Sequence, residues 1–375
     1  MSNKKLATLG IIAAVMVVWA VVQSKVSNTA AHKETSGTAY LVSGVNADDI
    51  SSITIKSGKD TLTLRRKSKG FVVVNKDNYP ADTQKINDLI TDCLEIKVSQ
   101  MVTDNPANHA DLGVTEDKAQ KVVRFFTPDA NELFGVIVGN SKGSGQGTYV
   151  RLASSDKVYL ASQPPYVDDT AINYVKQQLV AIVHKDIQLV TVESPNGKYI
   201  LKPKTDSEDV ELVNIPEGKK LKESDAKNVF NALSSLNFSD VKKDSDDLKF
   251  DRHYICKLFN STEFTFDIAS KDDKTFVKCR AVFTEGKPPA TNPNEKLSQD
   301  QLKERENKLL LDKKADDFTS RNLGWVYEIP SYKAKYLTTD LSSLVENDTN
   351  ATVTGTSDPN AILNQIQSDD PSAGS

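Results

Sequence analysis

Apolar and polar positions alternate along most of the chain. The alternation begins at Ile53 and Ile55, continues through residues 62–73 and returns over residues 123–160. A two-residue period is typical of strands with one buried face, so these segments predict an antiparallel meander. Between them, Asp82 precedes apolar residues at 86, 89, 90, 93 and 94, a spacing that predicts a capped amphipathic helix. We predict a loop at 101–120.

The first 44 residues follow a different pattern. Residues 6–22, LATLGIIAAVMVVWAVV, contain no charged side chain and follow Lys4 and Lys5. A helix of about 20 apolar residues, or about 17 at the least, crosses a bilayer. We therefore expect a cytoplasmic tip at 1–5, a transmembrane anchor at 6–22 in the inner (cytoplasmic) membrane and a flexible spacer at 23–44, with the body extracytoplasmic or periplasmic. A cleaved signal peptide ending at Ala31 is the alternative.

The order of elements repeats in the second half of the chain. Residues 50–55 are matched by residues 187–192, and Leu64 is matched by Leu201 at the same offset. Asp82 is matched by Asp225, and residues 111–114 by residues 247–250. We predict an α+β fold of two tandem similar units, each an antiparallel sheet or meander with a packed helix, at 45–183 and 184–344. Shared apolar alternation between unrelated α+β segments is the alternative.

Two segments depart from this repeat. The second copy contains an insertion at 285–321, in which the Lys- and Glu-rich residues 298–316 predict a charged, exposed helix. Residues 345–375 are polar and nearly devoid of large apolar side chains, which predicts a disordered tail.

The composition and net charge argue against nucleic acids as partners. The chain is 38% apolar and 26% charged, as in ordinary globular proteins, and its formal net charge is -4. Nucleic-acid binding requires clustered Lys and Arg, so we expect no nucleic-acid partner.

No pattern in the sequence points to catalysis. The Gly-rich residues 139–147 lie between two predicted strands, which favours a hairpin over a phosphate loop. The histidines are not at metal-ligand spacing and are predicted to lie at surface or boundary positions: His32, His109, His184 and His253. We predict no catalytic, cofactor-binding or metal-binding residue, no cofactor, and no enzyme. Cys93, Cys256 and Cys279 are predicted to be buried thiols, with a Cys256–Cys279 bridge left open.

Several motifs together resemble a known family. They are Ile53–Lys56, Tyr79–Asp82, Asn105-Pro106 with Asp111–Val114, and Tyr149–Arg151 with Val158–Leu160. In these residues the chain resembles the bacterial domain of unknown function 4340. The resemblance implies an anchored extracytoplasmic protein, and some family members resemble auxiliary components of ABC-type exporters.

Two functions remain open at this point. The first is a non-enzymatic, membrane-anchored interaction or scaffold protein, auxiliary to an ABC-type export or envelope complex, with the membrane and envelope or transporter subunits as partners. The second is an extracytoplasmic solute- or polymer-binding module, in which Tyr149, Tyr159, Trp325 and Tyr327 form a binding surface between the copies. Strand core is the competing interpretation of these four aromatic residues.

Overall fold

The chain forms two compact units. The computed structural model describes residues 39–143, 145–205, 207–286, 288 and 297–348. Unit 1 contains the described residues up to Val72 and then Ala81–Asp169, and unit 2 contains Val73–Pro80 and the described residues from Thr170 onward. The chain therefore passes from unit 1 to unit 2 after Asp169, whereas the internal repeat predicted this boundary between residues 183 and 184. Residues 73–80 belong to unit 2.

The predicted anchor at 6–22 lies outside the described residues, as do the spacer up to residue 38 and the tail from residue 349. Within the part of the chain that the structure describes, no helix has the length and apolar character needed to span a bilayer.

Unit 1 is built around one sheet. The first ten strands of the chain, of which β5 lies in the unit 2 segment, are β1 Ala39–Tyr40, β2 Ser52–Ser57, β3 Asp60–Lys67, β4 Gly70–Val73, β5 Tyr79–Pro80, β6 Lys97–Thr103, β7 Lys121–Phe126, β8 Glu132–Ser141, β9 Thr148–Leu152 and β10 Val158–Ala161. The unit 1 strands follow the order β1-β6-β10-β9-β8-β7-β2-β3-β4. From β1 to β3 in this order, neighbouring strands pair antiparallel.

Helix α1, Thr83–Leu94, lies in unit 1 and confirms the prediction from the helical period. The Asp82 carboxylate accepts a hydrogen bond from the backbone N–H of Gln84, which satisfies a free donor of the first turn. The helix buries Ile86, Leu89, Ile90 and Cys93. A separate apolar cluster of Val114, Val122, Ile137 and Val158 packs with Tyr149 and Leu112.

Unit 2 contains a second large sheet. Its further strands are β11 Gln178–Val180, β12 Ile187–Ser194, β13 Gly197–Pro203, β14 Val210–Leu212, β15 Lys219–Leu221, β16 Leu236–Asn237, β17 Asp240–Lys243, β18 Arg252–Leu258, β19 Thr262–Lys271, β20 Lys274–Phe283, β21 Trp325–Ile329 and β22 Val345–Asn347. Its helices are α2 Glu223–Phe230, α3 Gln299–Asn322, α4 Ser331–Leu337 and α5 Leu341–Leu344. The main sheet has the order β14-β13-β12-β18-β19-β20-β21-β17, and β11-β16 and β15-β22 form two small sheets.

The two main sheets have the same strand order. Unit 1 contains β4-β3-β2-β7-β8-β9-β10-β6, and unit 2 contains β14-β13-β12-β18-β19-β20-β21-β17 at the matching places. The register agrees as well, because Ile53 pairs with Leu64 in unit 1 and Val190 pairs with Leu201 in unit 2. The fold is mixed α+β with mostly antiparallel sheets and few helices.

Four local predictions can be compared with the structure. The charged helix of the insertion is confirmed as α3, where Ser298 and Gln301 form a reciprocal capping box. Asp225 does not cap α2, because that helix already begins at Glu223 after Lys222. The predicted loop at 101–120 is wrong at its start, since β6 extends to Thr103. The predicted tail is wrong at residues 345–347, which form β22 and pair with β15.

Candidate functional site

The first two residues of the predicted aromatic surface lie in unit 1, on opposite faces of the sheet. Tyr149 pairs with Leu160, whereas Tyr159, the neighbour of Leu160, pairs with Val150. Because side chains alternate along a strand, Tyr149 and Tyr159 point in opposite directions. Tyr149 packs into the cluster around Ile137. The pair therefore cannot line one groove.

The other two residues, Trp325 and Tyr327, are buried inside unit 2. They are 8% and 0% exposed, respectively, so they do not lie on a surface. Both pack edge-on against Tyr79, with ring centroids 4.8 Å from Trp325 and 6.2 Å from Tyr327. The ring of Phe238 lies 4.8 Å from that of Tyr327 and completes the cluster. Edge-to-face packing of this kind is a favourable core arrangement.

Tyr79 reaches this cluster because of the local backbone of its segment. Asp77 and Asn78 have φ angles of 54° and 62°, a left-handed conformation that Asp and Asn tolerate better than most residues. The segment is also held by polar contacts with β17. Lys76 forms a 2.6 Å ion pair with Asp240, and the Asp77 carboxylate accepts a hydrogen bond from the backbone N–H of Lys243.

A chain of buried hydroxyl groups connects the same segment to helix α3. The Tyr327 hydroxyl donates to the Asn322 side-chain oxygen at 2.6 Å, and the Asn322 amide donates to the Phe318 carbonyl at 2.7 Å. The Tyr79 hydroxyl lies 3.4 Å from that of Tyr327 and is left as the donor in this contact. Burial raises the pKa of both tyrosines, so both stay neutral and act as structural hydrogen-bonding groups.

Strand β6 and its neighbour β1 form the most exposed apolar edge of unit 1. Tyr40, Met101 and Val102 are 54%, 45% and 38% exposed, and the one other large apolar side chain exposed among the described residues of unit 1 is Tyr166. Strand β1 pairs with β6 only at Lys97 and Val98. Among the described residues, no strand pairs with the outer edge of β6 beyond Val98. Three apolar side chains thus accompany an open strand edge.

A small pocket opens beside this edge. Its volume is about 140 Å³, and its lining includes Tyr40, Leu41, Val98, Leu152 and Tyr159. Tyr159 is the one residue of the predicted aromatic surface that borders it. Small-molecule sites usually measure about 300–1,000 Å³, so this pocket is the size for a single side chain.

The groups that most often carry catalysis are used structurally in the described residues. Cys93, Cys256 and Cys279 are free, buried thiols, and burial raises the pKa of each, that of Cys256 to about 12. Strand β19 lies between Cys256 and Cys279, which places them about 10 Å apart, too far for a disulfide. The open Cys256–Cys279 bridge is therefore excluded in this fold.

The histidines also have structural partners. His32 lies outside the described residues. His109 is buried, contrary to the sequence prediction, and its Nε2 lies 2.9 Å from the Asp156 carbonyl. The Nδ1 atom of His253 lies 2.7 Å from an Asp267 oxygen. No three His, Cys, Asp or Glu side chains of the described residues are grouped as a metal site.

The described part of unit 2 contains a cleft in the size range of small-molecule sites, with His184 among the residues that line it. The cleft has a volume of about 640 Å³ and is lined by His184, Lys185, Lys202, Val183 and Phe259, among others. The Nδ1 atom of His184 contacts Asn231, whereas its Nε2 atom is buried and has no hydrogen-bond partner among the described residues. Val183 and Phe259 are exposed.

Comparison with known proteins supports the resemblance found in the sequence. The family described as Domain of unknown function (DUF4340) matches residues 72–252. This range begins in the last part of β4 and ends at the start of β18, so it covers parts of both units. The chain thus resembles this family over about half of its length. Comparisons with curated proteins and with solved structures found no match.

Sequence reasoning missed the β6 edge because residues from 101 onward were interpreted as a loop. The signal was present as Val98–Val102, five residues with no charge, no Gly and no Pro that include two β-branched valines. The short length of this segment and the turn-forming Asp104-Asn105-Pro106 after it concealed the strand.

Proposed function

We propose that this chain is a non-enzymatic interaction module, anchored in the inner membrane by residues 6–22, with its two units outside the cytoplasm. The single observation that carries the proposal is the group of exposed apolar side chains Tyr40, Met101 and Val102 along β6, which no described strand pairs with beyond Val98. Exposed apolar patches mark interaction sites, and an unpaired strand edge offers a row of backbone donors and acceptors to another chain.

The pocket beside β6 favours a protein partner over a small solute at this place. Strand addition at a sheet edge supplies affinity through backbone hydrogen bonds, and pockets for individual side chains supply specificity. The volume of about 140 Å³ suits such a side chain. An extended segment of a partner that lies along β6 would place one apolar side chain between Tyr40 and Tyr159.

The same proposal includes the origin of the two units and the complex they serve. We infer that units 1 and 2 are tandem copies, supported by their shared strand order and register. From the resemblance noted in the sequence we infer an auxiliary role beside an ABC-type exporter or another envelope complex; the matching family itself is described as a domain of unknown function. Envelope or transporter subunits are then the expected partners.

Site-specific photo-cross-linking in membranes tests the interaction surface. A photoreactive residue at Met101 of the full chain is expected to cross-link to protein, whereas the same residue at Val282 is not. Val282 is a matched control because it is also an exposed apolar strand residue, 52% exposed. Absence of any adduct at position 101 would contradict the proposal. A reporter fused after Val22 tests the topology, and a cytoplasmic reporter would contradict the extracytoplasmic location.

A solute-binding module is the second candidate, favoured by the cleft at His184. Its volume and its exposed Phe259 suit a ligand with an apolar or aromatic ring. A ligand that binds there stabilises the folded chain by mass action. A solute screen that raises the unfolding temperature of the wild type, but not of Phe259→Ala, would favour this candidate.

A further inference from the structure

The hairpin that joins β3 to β4 carries a compact group of basic residues. They are Arg65, Arg66, Lys67 and Lys69, and the segment 65–70 contains no acidic residue. All four residues are exposed, and none of them forms an ion pair with a carboxylate in the part of the chain that the structure describes. The hairpin is therefore a positive patch on a chain whose formal net charge is -4.

The contacts of Arg66 leave its charge in place. Its Nε donates a 2.8 Å hydrogen bond to the Ile50 carbonyl, and its guanidinium lies 4.8 Å from the ring centroid of Phe71. Neither a carbonyl nor a ring carries a net charge. Arg65 and Lys67 lie on the other side of β3, because side chains alternate along a strand. The hairpin thus presents positive charge on both of its sides.

The corresponding hairpin of unit 2, between β13 and β14, has the opposite charge balance. Its residues 202–209 include two lysines and three acidic residues. Both lysines are paired, Lys202 with Glu211 and Lys204 with Glu223. A sheet of this strand order therefore forms without a basic hairpin at this place, so the charge of the unit 1 hairpin is not a requirement of the fold.

The basic hairpin lies at the end of the sheet where the chain enters β1. Seven successive antiparallel pairs connect β1 to β3, so these two strands run in opposite directions. The start of β1 at Ala39 and the end of β3 at Lys67 consequently lie at the same end of the sheet. Neighbouring strands are about 4.8 Å apart, which places the two points at most about 34 Å from each other across the sheet.

Resting on the proposed function, we propose that the hairpin 65–69 docks on anionic lipid headgroups of the membrane in which residues 6–22 are anchored. The 16 residues 23–38 separate that anchor from Ala39, and a chain of this length spans at most about 58 Å. The end of the sheet that carries the hairpin is thus tethered close to the bilayer surface. Clustered Lys and Arg beside a bilayer bind anionic headgroups, and each contributes about a fivefold factor.

Quenching of a fluorophore on the hairpin by labelled lipid tests the docking. The full chain with Ser68→Cys is labelled at that thiol and reconstituted in vesicles of phosphatidylcholine, alone or mixed with phosphatidylglycerol, that contain a headgroup-attached quencher. The three native cysteines are buried and take up little label. Quenching is expected to be stronger in the anionic vesicles and to fall at high salt, which screens exposed charges. Equal quenching in the two kinds of vesicle would overturn the inference.

Ser207→Cys provides the matched labelling control. Ser207 is an exposed residue of the corresponding hairpin in unit 2. Its quenching is expected to be the same with and without phosphatidylglycerol, because its hairpin has no excess of positive charge. A dependence as large as that at position 68 would overturn the inference, since the attraction would then not belong to the basic hairpin.

Charge removal tests which residues hold the lipid. Lys67→Gln combined with Lys69→Gln is expected to lower the ratio of docked to free hairpin about 30-fold, since each basic residue contributes about fivefold. Lys56→Gln combined with Lys59→Gln is the matched control, because it removes the same charge at the turn between β2 and β3, at the opposite end of the sheet. Equal losses in the two double variants would contradict a specific role of the hairpin.

Retention in the vesicles separates failure of this inference from failure of the proposed function. A chain that stays in the vesicles and shows equal quenching with both lipids contradicts only the lipid docking. A chain that leaves the vesicles for the soluble fraction without detergent contradicts the anchor, and therefore both. Photo-cross-links from position 68 to a protein, with no dependence on phosphatidylglycerol, would overturn the lipid assignment and leave the interaction module in place.

Discussion

Strands β6 and β17 hold the same place in two sheets of the same order, yet their edges differ. In unit 2, the segment Val73–Pro80 covers β17, and Tyr79 fills the space beside Trp325 and Tyr327. In the described part of unit 1, β1 pairs with two residues of β6, and a small pocket lies beside Tyr159. One fold therefore contains a closed edge and an open edge. The edge at β17 is closed by aromatic packing and ion pairing, whereas the described part of β6 keeps apolar side chains exposed.

The difference arises from a few side chains. Position 327 of β21 and position 159 of β10 are both tyrosine, but Tyr327 is fully buried whereas Tyr159 is only half-buried. Tyr327 is buried by Tyr79 and by Asn322, the last residue of α3, a helix that lies almost entirely within the insertion of unit 2. The insertion therefore contributes to the closed edge, and unit 1 has no counterpart of it.

Among truncations of side chains at the closed edge, removal of the Tyr79 ring should have the largest effect. Tyr79→Ala leaves a cavity beside three aromatic rings, and large-to-small changes of buried aromatic residues cost about 3–5 kcal/mol. Denaturant unfolding measured by Trp325 fluorescence in a Trp19→Phe background reports on unit 2. Tyr40→Ala is the control from the open edge, where exposed substitutions change stability by less than about 0.5 kcal/mol. Equal losses in the two variants would disprove the difference between the edges.

Loss of the Asn322 side chain should be the next largest effect. Asn322→Ala leaves the buried Tyr327 hydroxyl without the acceptor of its 2.6 Å bond, which costs about 1–3 kcal/mol. Asn307→Ala on the exposed part of the same helix is the control and should change the free energy of unfolding little. If the two variants unfold at the same denaturant concentration, the hydroxyl chain does not stabilise the closed edge.

The strands and the first helix could be predicted because their signals are local. The alternation of apolar and polar residues predicted strand β2, and the capping residue Asp82 predicted the start of α1. The correspondence of residues 50–55 with residues 187–192 was readable for the same reason. The covering of β17 by residues 73–80 was not predictable, because it depends on packing between segments far apart in the chain. Trp325 and Tyr327 accordingly looked like binding residues, although the structure buries them.

A pH-dependent contact provides a further test at the C-terminal part of unit 2. The Arg252 guanidinium, with Asn196 and Ser194, holds the pKa of Asp340 down to about 2. A carboxyl group with a pKa lowered by folding stabilises the protein above its unfolded pKa, about 3.9, and this stability is lost as the pH falls toward 2. We expect the wild type to lose more stability than Asp340→Asn between about pH 4 and pH 2. Parallel pH profiles would show that the Arg252 contact contributes nothing.

The smallest effect on stability is expected at the open edge itself. Met101 is 45% exposed, whereas its counterpart Val241 is 3% exposed. A charged side chain should therefore be tolerated at position 101 and destabilise the fold at position 241. Met101→Lys should change the free energy of unfolding by less than about 0.5 kcal/mol, because the lysine head group stays in water. Val241→Lys should prevent stable folding of unit 2, since it buries an unpaired ammonium group. Denaturant unfolding in detergent measures the stability of both variants. A large loss of stability in Met101→Lys would mean that the side chain at position 101 is part of the core, and β6 could then no longer serve as an interaction surface.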